Sequence, residues 1–303
     1  MLPAVMIIKS SKEGVEDQKI IVYPERRADR ALKGIRRVYS KVPDVSRRTI
    51  VRLYARFGLH RFNFLMGQEV QPCNIMEYTQ STFSVTCSYK ITFKAKDPAS
   101  AKTKPTLATF QAQVNEIAFN RFALVSANSG PYPVETKIYN VDKSNVLCGH
   151  FLHHFMPKLL TGENPFQDDT GRFRLLKKTE VLKNEWIHLY LELAVATTNR
   201  RRIEHGVGGL KIRKVAMEIP RDLEPFHKGL GAYDAIFYIR YTDPCKDRAG
   251  DDDGDRVALV RRIVDVHSGI FRIVGLTQSF QSITPPAASN GTAAMEMEAS
   301  PQD

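Results

Sequence analysis

Cysteine is scarce and scattered in this chain. Four stand in 303 residues, Cys73, Cys87, Cys148 and Cys245, and none forms a Cys-x-x-Cys pair. That removes the sequence basis for a zinc finger or a redox dithiol. Buried free thiols are expected instead. Long apolar runs are also lacking, since nothing approaches the ~20 residues that a spanning helix needs. The apolar start, Met1 to Ile8, has no basic leader and no small-residue cleavage site, so it does not read as a secretory signal. The expectation is a soluble protein from a reducing compartment, in which the sequon Asn290-Gly-Thr292 is a chance match. Enzymatic signatures are missing too. There is no Gly-x-Ser-x-Gly elbow, no phosphate-cradling Gly-x-x-x-x-Gly-Lys-Ser/Thr and no His-Glu-x-x-His. The chain reads as a non-enzyme with no catalytic residue, metal or cofactor.

Acidic residues are rare in one window. Between Arg26 and Arg61 only Asp29 and Asp44 face twelve basic residues, ten of them Arg. That window carries +10 of a formal net charge of +11, and the rest of the chain is almost neutral. Such segregation predicts a polyanionic partner. The candidate binding residues are Arg26, Arg27, Arg30, Lys33, Arg36, Arg37, Arg47, Arg48, Arg52, Arg56 and Arg61. Arg suits the task because its planar fork grips phosphate oxygens bidentately. Tyr39, Tyr54, Phe57 and Phe62 lie among the charges. They could stack on unpaired bases or pack the segment onto the body.

Spacing predicts two helices here. Arg26, Arg30, Lys33 and Arg37 recur at steps of four, three and four after Pro24. Pro43-Asp44 breaks the chain, and Ser46 is an N-cap candidate for a helix carrying Arg48, Arg52 and Arg56. Ile50, Leu53, Tyr54 and Phe57 give that helix an apolar side, and Gly58 is the expected stop. Ser46-Arg-Arg-Thr-Ile-Val-Arg-Leu-Tyr54 superficially resembles the recognition helix of helix-turn-helix regulators, with Ala28 to Tyr39 as the preceding helix.

From Ser81 the period changes. Ser84 to Phe93 alternates like a half-buried strand. Further strands are expected at Lys19–Tyr23, Thr109–Val114, Phe122–Ser126, Thr136–Val141, Phe173–Leu176, Trp186–Val195, Leu210–Ile219, Ala235–Thr242, Val257–Val266 and Gly269–Leu276. A short helix is expected around Cys148 to Leu160, and no repeat appears at solenoid spacing. Gly/Pro punctuation between many strands predicts a mainly β fold, an antiparallel sandwich of jelly-roll type with a basic helical N-terminal segment. The expected segments are a basic arm at 1–65, a β-rich body at 66–283 and a disordered small-residue tail at 284–303.

Three other constellations carry weaker chemistry. Cys148-Gly-His150-Phe-Leu-His153-His154 sets His150 and His154 at a spacing useful to zinc, but no third ligand is apparent and packing is the preferred reading. The acidic loop Asp243 to Asp255 fails the EF-hand pattern, because Ala249 and Val260 occupy ligand positions. Glu204-His205 beside Gly206 reads as a turn with exposed polar groups.

The layout resembles the jelly-roll coat proteins of geminivirus- and circovirus-like single-stranded DNA viruses. The resemblance rests on the basic arm, on Arg172-Phe-Arg-Leu-Leu-Lys-Lys178, on Leu210-Lys-Ile-Arg-Lys214 and on Ala235-Ile-Phe-Tyr-Ile-Arg-Tyr241. It implies a self-assembling viral structural protein, a capsid component located in the virion and in the host nucleus or cytoplasm. The arm would then neutralise single-stranded DNA or RNA and serve nuclear import. Alternatives are a matrix or movement protein binding an anionic membrane surface or RNA, and a helix-turn-helix regulator. Expected partners are therefore nucleic acid, further copies of the chain and, in the matrix alternative, an anionic membrane surface.

Overall fold

A computed structural model describes residues 34–39, 45–83, 86–96, 107–117, 122–132, 155–158, 163–167, 171–200, 203, 206–218, 229–245, 254–265 and 267–280. Ten strands form one antiparallel sheet. They are β1 (Gly34–Val38), β2 (Gln71–Phe83), β3 (Thr86–Lys96), β4 (Leu107–Glu116), β5 (Phe122–Pro131), β6 (Arg174–Leu175), β7 (Lys211–Glu218), β8 (Asp234–Thr242), β9 (Asp255–Val264) and β10 (Phe271–Ser279). Among the described residues, three α-helices accompany them: α1 (Val45–Met66), α2 (Lys178–Lys183) and α3 (Glu185–Thr198). The spatial order is β1-β2-β3-β4-β5-β10-β9-β8-β7-β6. This order is a palindrome. A unit of strand, long helix and four strands occurs twice, and the two units meet where Phe122–Ser126 of β5 pairs with Gly275–Phe271 of β10.

The expected mainly β, antiparallel character is present. The core, however, is closed by helices where a sandwich would supply a second sheet. Period-two residues of the sheet face inward: Tyr89, Ile91 and Phe93 on β3, Phe110, Ala112 and Val114 on β4, Phe237 and Ile239 on β8, Phe271 and Ile273 on β10. Against them α1 packs Ile50, Leu53, Tyr54 and Phe57, whose spacing makes one helical face. α3 supplies Ile187, Tyr190, Leu191 and Ala194. Smaller clusters cover the opposite face, with Phe166, Phe173 and Tyr238 in one and Val125, Ile270 and Val274 in another.

Several local expectations are corrected. The helix expected over Ala28–Tyr39 is strand β1 wherever it is described. Gly34–Val38 pairs with Ser81–Glu77 of β2, and an edge strand tolerates the charged Arg36 and Arg37 as readily as a helix face would. Gly58 does not stop α1, which continues to Met66. It is small because α1 crosses β4 there: a methyl on Gly58 would overlap the Cβ of Ala112. The helix ends instead at Gly67, where φ is +63°, and Asn63 clamps the exit through its amide bonds to the Val70 carbonyl (2.8 Å) and N–H (3.2 Å). Trp186–Val195 is helix, not strand, because a run buried nearly all round shows neither period. Lys19–Tyr23, Thr136–Val141, Cys148–His154 and the tail 284–303 lie outside the described residues.

Candidate functional site

The eleven expected binding residues do not form one cationic face. Arg26, Arg27, Arg30 and Lys33 lie outside the described residues, and of Arg36 only the backbone is described, on β1. Arg37 and Arg47 are half-buried, while Arg48 and Arg52 are exposed one turn apart on α1. Arg56 turns toward α3 and forms an ion pair with Glu192. Arg61 is buried, donating from Nε to the Gly269 carbonyl (2.8 Å) and from Nη1 to Ser129 Oγ (3.0 Å). The basic residues expected to bind together therefore dip toward the core as α1 proceeds. A recognition helix needs a helical partner before it, and among the described residues strand β1 precedes α1. The helix-turn-helix reading is therefore corrected.

Two polar clusters are sealed in the core. Tyr54 donates to Glu116 Oε1 (2.7 Å), and Arg200 Nη2 donates to the same carboxylate and to Tyr54 Oη (3.1 Å). Burial, then the adjacent Glu116 charge, holds the Tyr54 hydroxyl well above the ordinary phenol range. Burial opposes the Arg200 charge, but Tyr54 and Glu116 outweigh it and raise its pKa. This triad ties α1, β4 and the end of α3 together.

The second cluster centres on Arg262, which occupies an inward position in the series Ala258, Val260, Arg262, Val264. Its Nη2 donates to the carbonyls of Leu230 (2.7 Å) and Ala232 (2.6 Å). Its guanidinium carbon lies 4.5 Å from the Phe64 ring centre, 5.1 Å from Trp186 and 5.3 Å from Phe237. Aromatic faces thus stand where a carboxylate would be usual. His60 adjoins this cage, stacks on Trp186 at 5.4 Å and shares a 3.0 Å hydrogen bond with Tyr190 Oη. Burial, then the Arg262 charge, lowers its pKa to about 3. Burial pushes Tyr190 up to about 12 against the pull of Arg262.

Among the described residues, a groove of about 690 Å³ opens between α2, α3 and the outer edge of β7. Leu175, Leu176, Val181, Leu182, Ile212 and Val215 give it an apolar lining. Arg56, Lys178, Arg213, Lys214 and His188 stand around it, with Glu185 as the acid among its lining residues. Leu182 keeps 69% of its surface exposed and Leu175 keeps 38%, so apolar surface remains uncovered here. A second hollow of about 440 Å³ adjoins it, sharing Arg56, Leu182 and Glu185 and reaching His60 and Trp186. Inside the wall, Glu192 joins Arg56 to His188 Nδ1 (3.7 Å). The hydrogen bond to Glu192 raises the His188 pKa above its ordinary value. Burial alone would lift the Glu192 carboxyl, but His188 and Arg56 hold it below its usual range.

Sequence reasoning missed this groove because its cations come from four elements, α1, α2, α3 and β7, and only Arg56 lies in the basic window. Arg262 was legible in principle: period two places it among inward residues of its strand. The other constellations resolve modestly. His150, His153, His154, Glu204 and His205 lie outside the described residues. Among the described residues no three His, Cys, Asp or Glu side chains gather as a metal site. Asp243 accepts from the Cys245 N–H (3.0 Å), and Asp255 accepts from Arg240 Nε (3.0 Å), so the two ends of the acidic loop serve local structure.

Comparison with known proteins gives a consistent relationship. The family model described as Protein MS5 matches residues 156–273. The UPF0725 protein At4g11700 of Arabidopsis thaliana is 54% identical over 129 residues, covering 42% of this chain and 70% of its own. The UPF0725 protein At3g19520 of the same plant is 32% identical over 244 residues, covering 76% of this chain and 74% of its own. The crystal structure of MS5 from Brassica napus resembles this fold with a TM-score of 0.52 at 24% identity, over 76% of this chain and 97% of that one. These relatives are plant proteins. They overturn the resemblance to viral coat proteins and, with it, the capsid, matrix and movement readings and the virion location. A basic segment before many strands is a pattern that unrelated folds share, and here the strands build one sheet around helices.

Proposed function

The chain belongs to the plant UPF0725 family, to which the Protein MS5 model also points, and on that premise we propose that it is a non-catalytic binding scaffold. Its groove beside β7 takes an acidic, partly apolar segment of a partner protein. One observation carries the reading: an uncovered apolar channel is surrounded by Arg56, Lys178, Arg213 and Lys214, with one acid among its lining residues. A nucleic-acid backbone would use the cations but waste the apolar lining, whereas a peptide uses both. The buried ionisable groups support a scaffold as well, since Tyr54, Glu116 and Arg200 satisfy one another inside the core.

The test uses a fluorescein-labelled octapeptide of alternating Glu and Leu, read by anisotropy. The full chain should bind it, and a peptide with Lys in place of Glu should not bind. The double variant Lys178→Glu/Lys214→Glu changes two exposed residues and should weaken binding by about tenfold or more, in line with like-charge juxtaposition at an interface. Equal binding of both peptides, or an unaffected double variant, would reject the reading.

A second reading rests on a separate observation. Arg48 and Arg52 remain exposed one turn apart on α1, a surface suited to phosphate, and nucleic acid is the proposed partner there. Replacing both by Ala should reduce the salt slope of single-stranded DNA binding by roughly 0.7 per lost contact. A slope that does not change removes this reading.

A further inference from the structure

We propose that the partner segment enters the groove as an extra strand, pairing antiparallel with the outer edge of β7 at Lys211–Lys214. This deepens the scaffold reading and rests on it. The argument begins with the two-fold repetition of the fold. In the first unit the outermost strand, β1, covers β2 over five residue pairs. Its counterpart β6 covers β7 at only two, Arg174 with Met217 and Leu175 with Ala216. One more link follows, from the Leu176 N–H to the Val215 carbonyl (2.9 Å). There the chain leaves the sheet. The Glu180 carboxylate accepts from the Lys177 N–H (2.9 Å) and pairs with Arg174, starting α2 at Lys178. Among the described residues, no strand continues that line beside Lys211–Lys214.

The vacated line and the groove coincide. Leu175 and Leu176 close one end, Ile212 to Val215 form one wall, and Val181 and Leu182 of the diverted helix form the other. An unpaired strand edge offers backbone donors and acceptors to an incoming chain. Side chains of an extended segment alternate between faces. Apolar residues at every second position would meet Leu176, Val181 and Ile212. The intervening acids would meet Lys178, Arg213 and Lys214, three of the cations that stand around the channel. The register shift between Ile212 and Lys214 shows that β7 already departs from regular pairing with β8 at this point. Bulges of this kind re-aim side chains at sheet edges. The ligand is thus an extended peptide alternating acidic and apolar residues, held by main-chain bonds for affinity and by the groove for specificity.

Two measurements on the full chain separate strand addition from docking in any other conformation. The first uses Glu/Leu octapeptides N-methylated at alternate amides in either of two phases. One phase faces β7 and should lose at least tenfold in affinity, while the other faces away and should bind as the parent does. The second is hydrogen exchange with and without the unmodified peptide, in which the amides of Lys211–Lys214 should gain protection. If the peptide binds with both methylated phases equivalent and β7 unprotected, strand addition is overturned while the groove reading stands. If no acidic peptide binds, both fall. A chain that dimerises through β7, with a dimer that the peptide does not displace, also overturns the proposal.

Discussion

His60 should make the fold acid-sensitive. It is buried against Arg262 and uncharged, with its pKa lowered from 6.5 to about 3. In the unfolded chain it titrates near its ordinary value. Between those two values the unfolded state holds a proton that the folded state lacks, so stability declines as pH falls. The contribution is fully present above about pH 6.5 and is lost at about 1.4 kcal/mol per pH unit toward pH 3. Over the 1.5 units from pH 6.5 to pH 5, roughly 2 kcal/mol disappears. Other groups titrate as well. His188, with its raised pKa, has the opposite sign: it contributes below its unfolded pKa and loses that contribution as pH rises through the folded value. The comparison must therefore be differential. His60→Phe keeps a ring in the aromatic cage and removes the proton. It also deletes the hydrogen bond to Tyr190, a cost of about 1 kcal/mol that does not depend on pH in this range. Urea unfolding at pH 7, 6 and 5 should show the gap between parent and variant narrowing, or reversing, by roughly 2 kcal/mol. Parallel curves would refute the buried, neutral histidine.

Two pairs of substitutions test the core. Arg200→Ala strands the Glu116 carboxylate, whose side chain is only 4% exposed, and should cost about 3–5 kcal/mol by urea denaturation. Tyr54→Phe, which leaves the ion pair, should cost much less. Gly275→Ala would drive a methyl into the carbonyl oxygen of Leu259 on the neighbouring strand. It should cost about 3 kcal/mol or more and lower the melting temperature, whereas the same change at Gly208, with open space around it, should have little effect.

Much of the sheet was legible because half-buried strands print their period on the sequence. The described part of Ser84–Phe93, from Thr86 on, falls in β3, and Thr109–Val114 and Ala235–Thr242 fall in β4 and β8. β2 was not, since Pro72, Cys73 and Asn74 sit exposed at its start and its regular alternation comes late. α3 was misread because Trp186–Val195 is buried nearly all round, with only His188 and Glu192 as polar residues, so neither period stands out. The arginine stripe misled for another reason. Spacing showed correctly that Arg48, Arg52 and Arg56 share a helical face, but it could not show that α3 would bring Glu192 beside that face. The groove needs tertiary placement of Arg56, Lys178, His188 and Lys214, none of which signals the others in sequence.

The join between the two units has a consequence for how the molecule assembles. Phe122–Ser126 and Phe271–Gly275 are neighbours in space yet about 150 residues apart along the chain, and closing a loop of that length costs roughly 4 kcal/mol of entropy before any contact repays it. Every other strand pair joins strands that are consecutive in the chain. Zipping β5 to β10 is thus the step expected last and slowest. During synthesis the first unit must wait with β5 bare until the final strand emerges, a vulnerable interval in which a foreign strand could take its place.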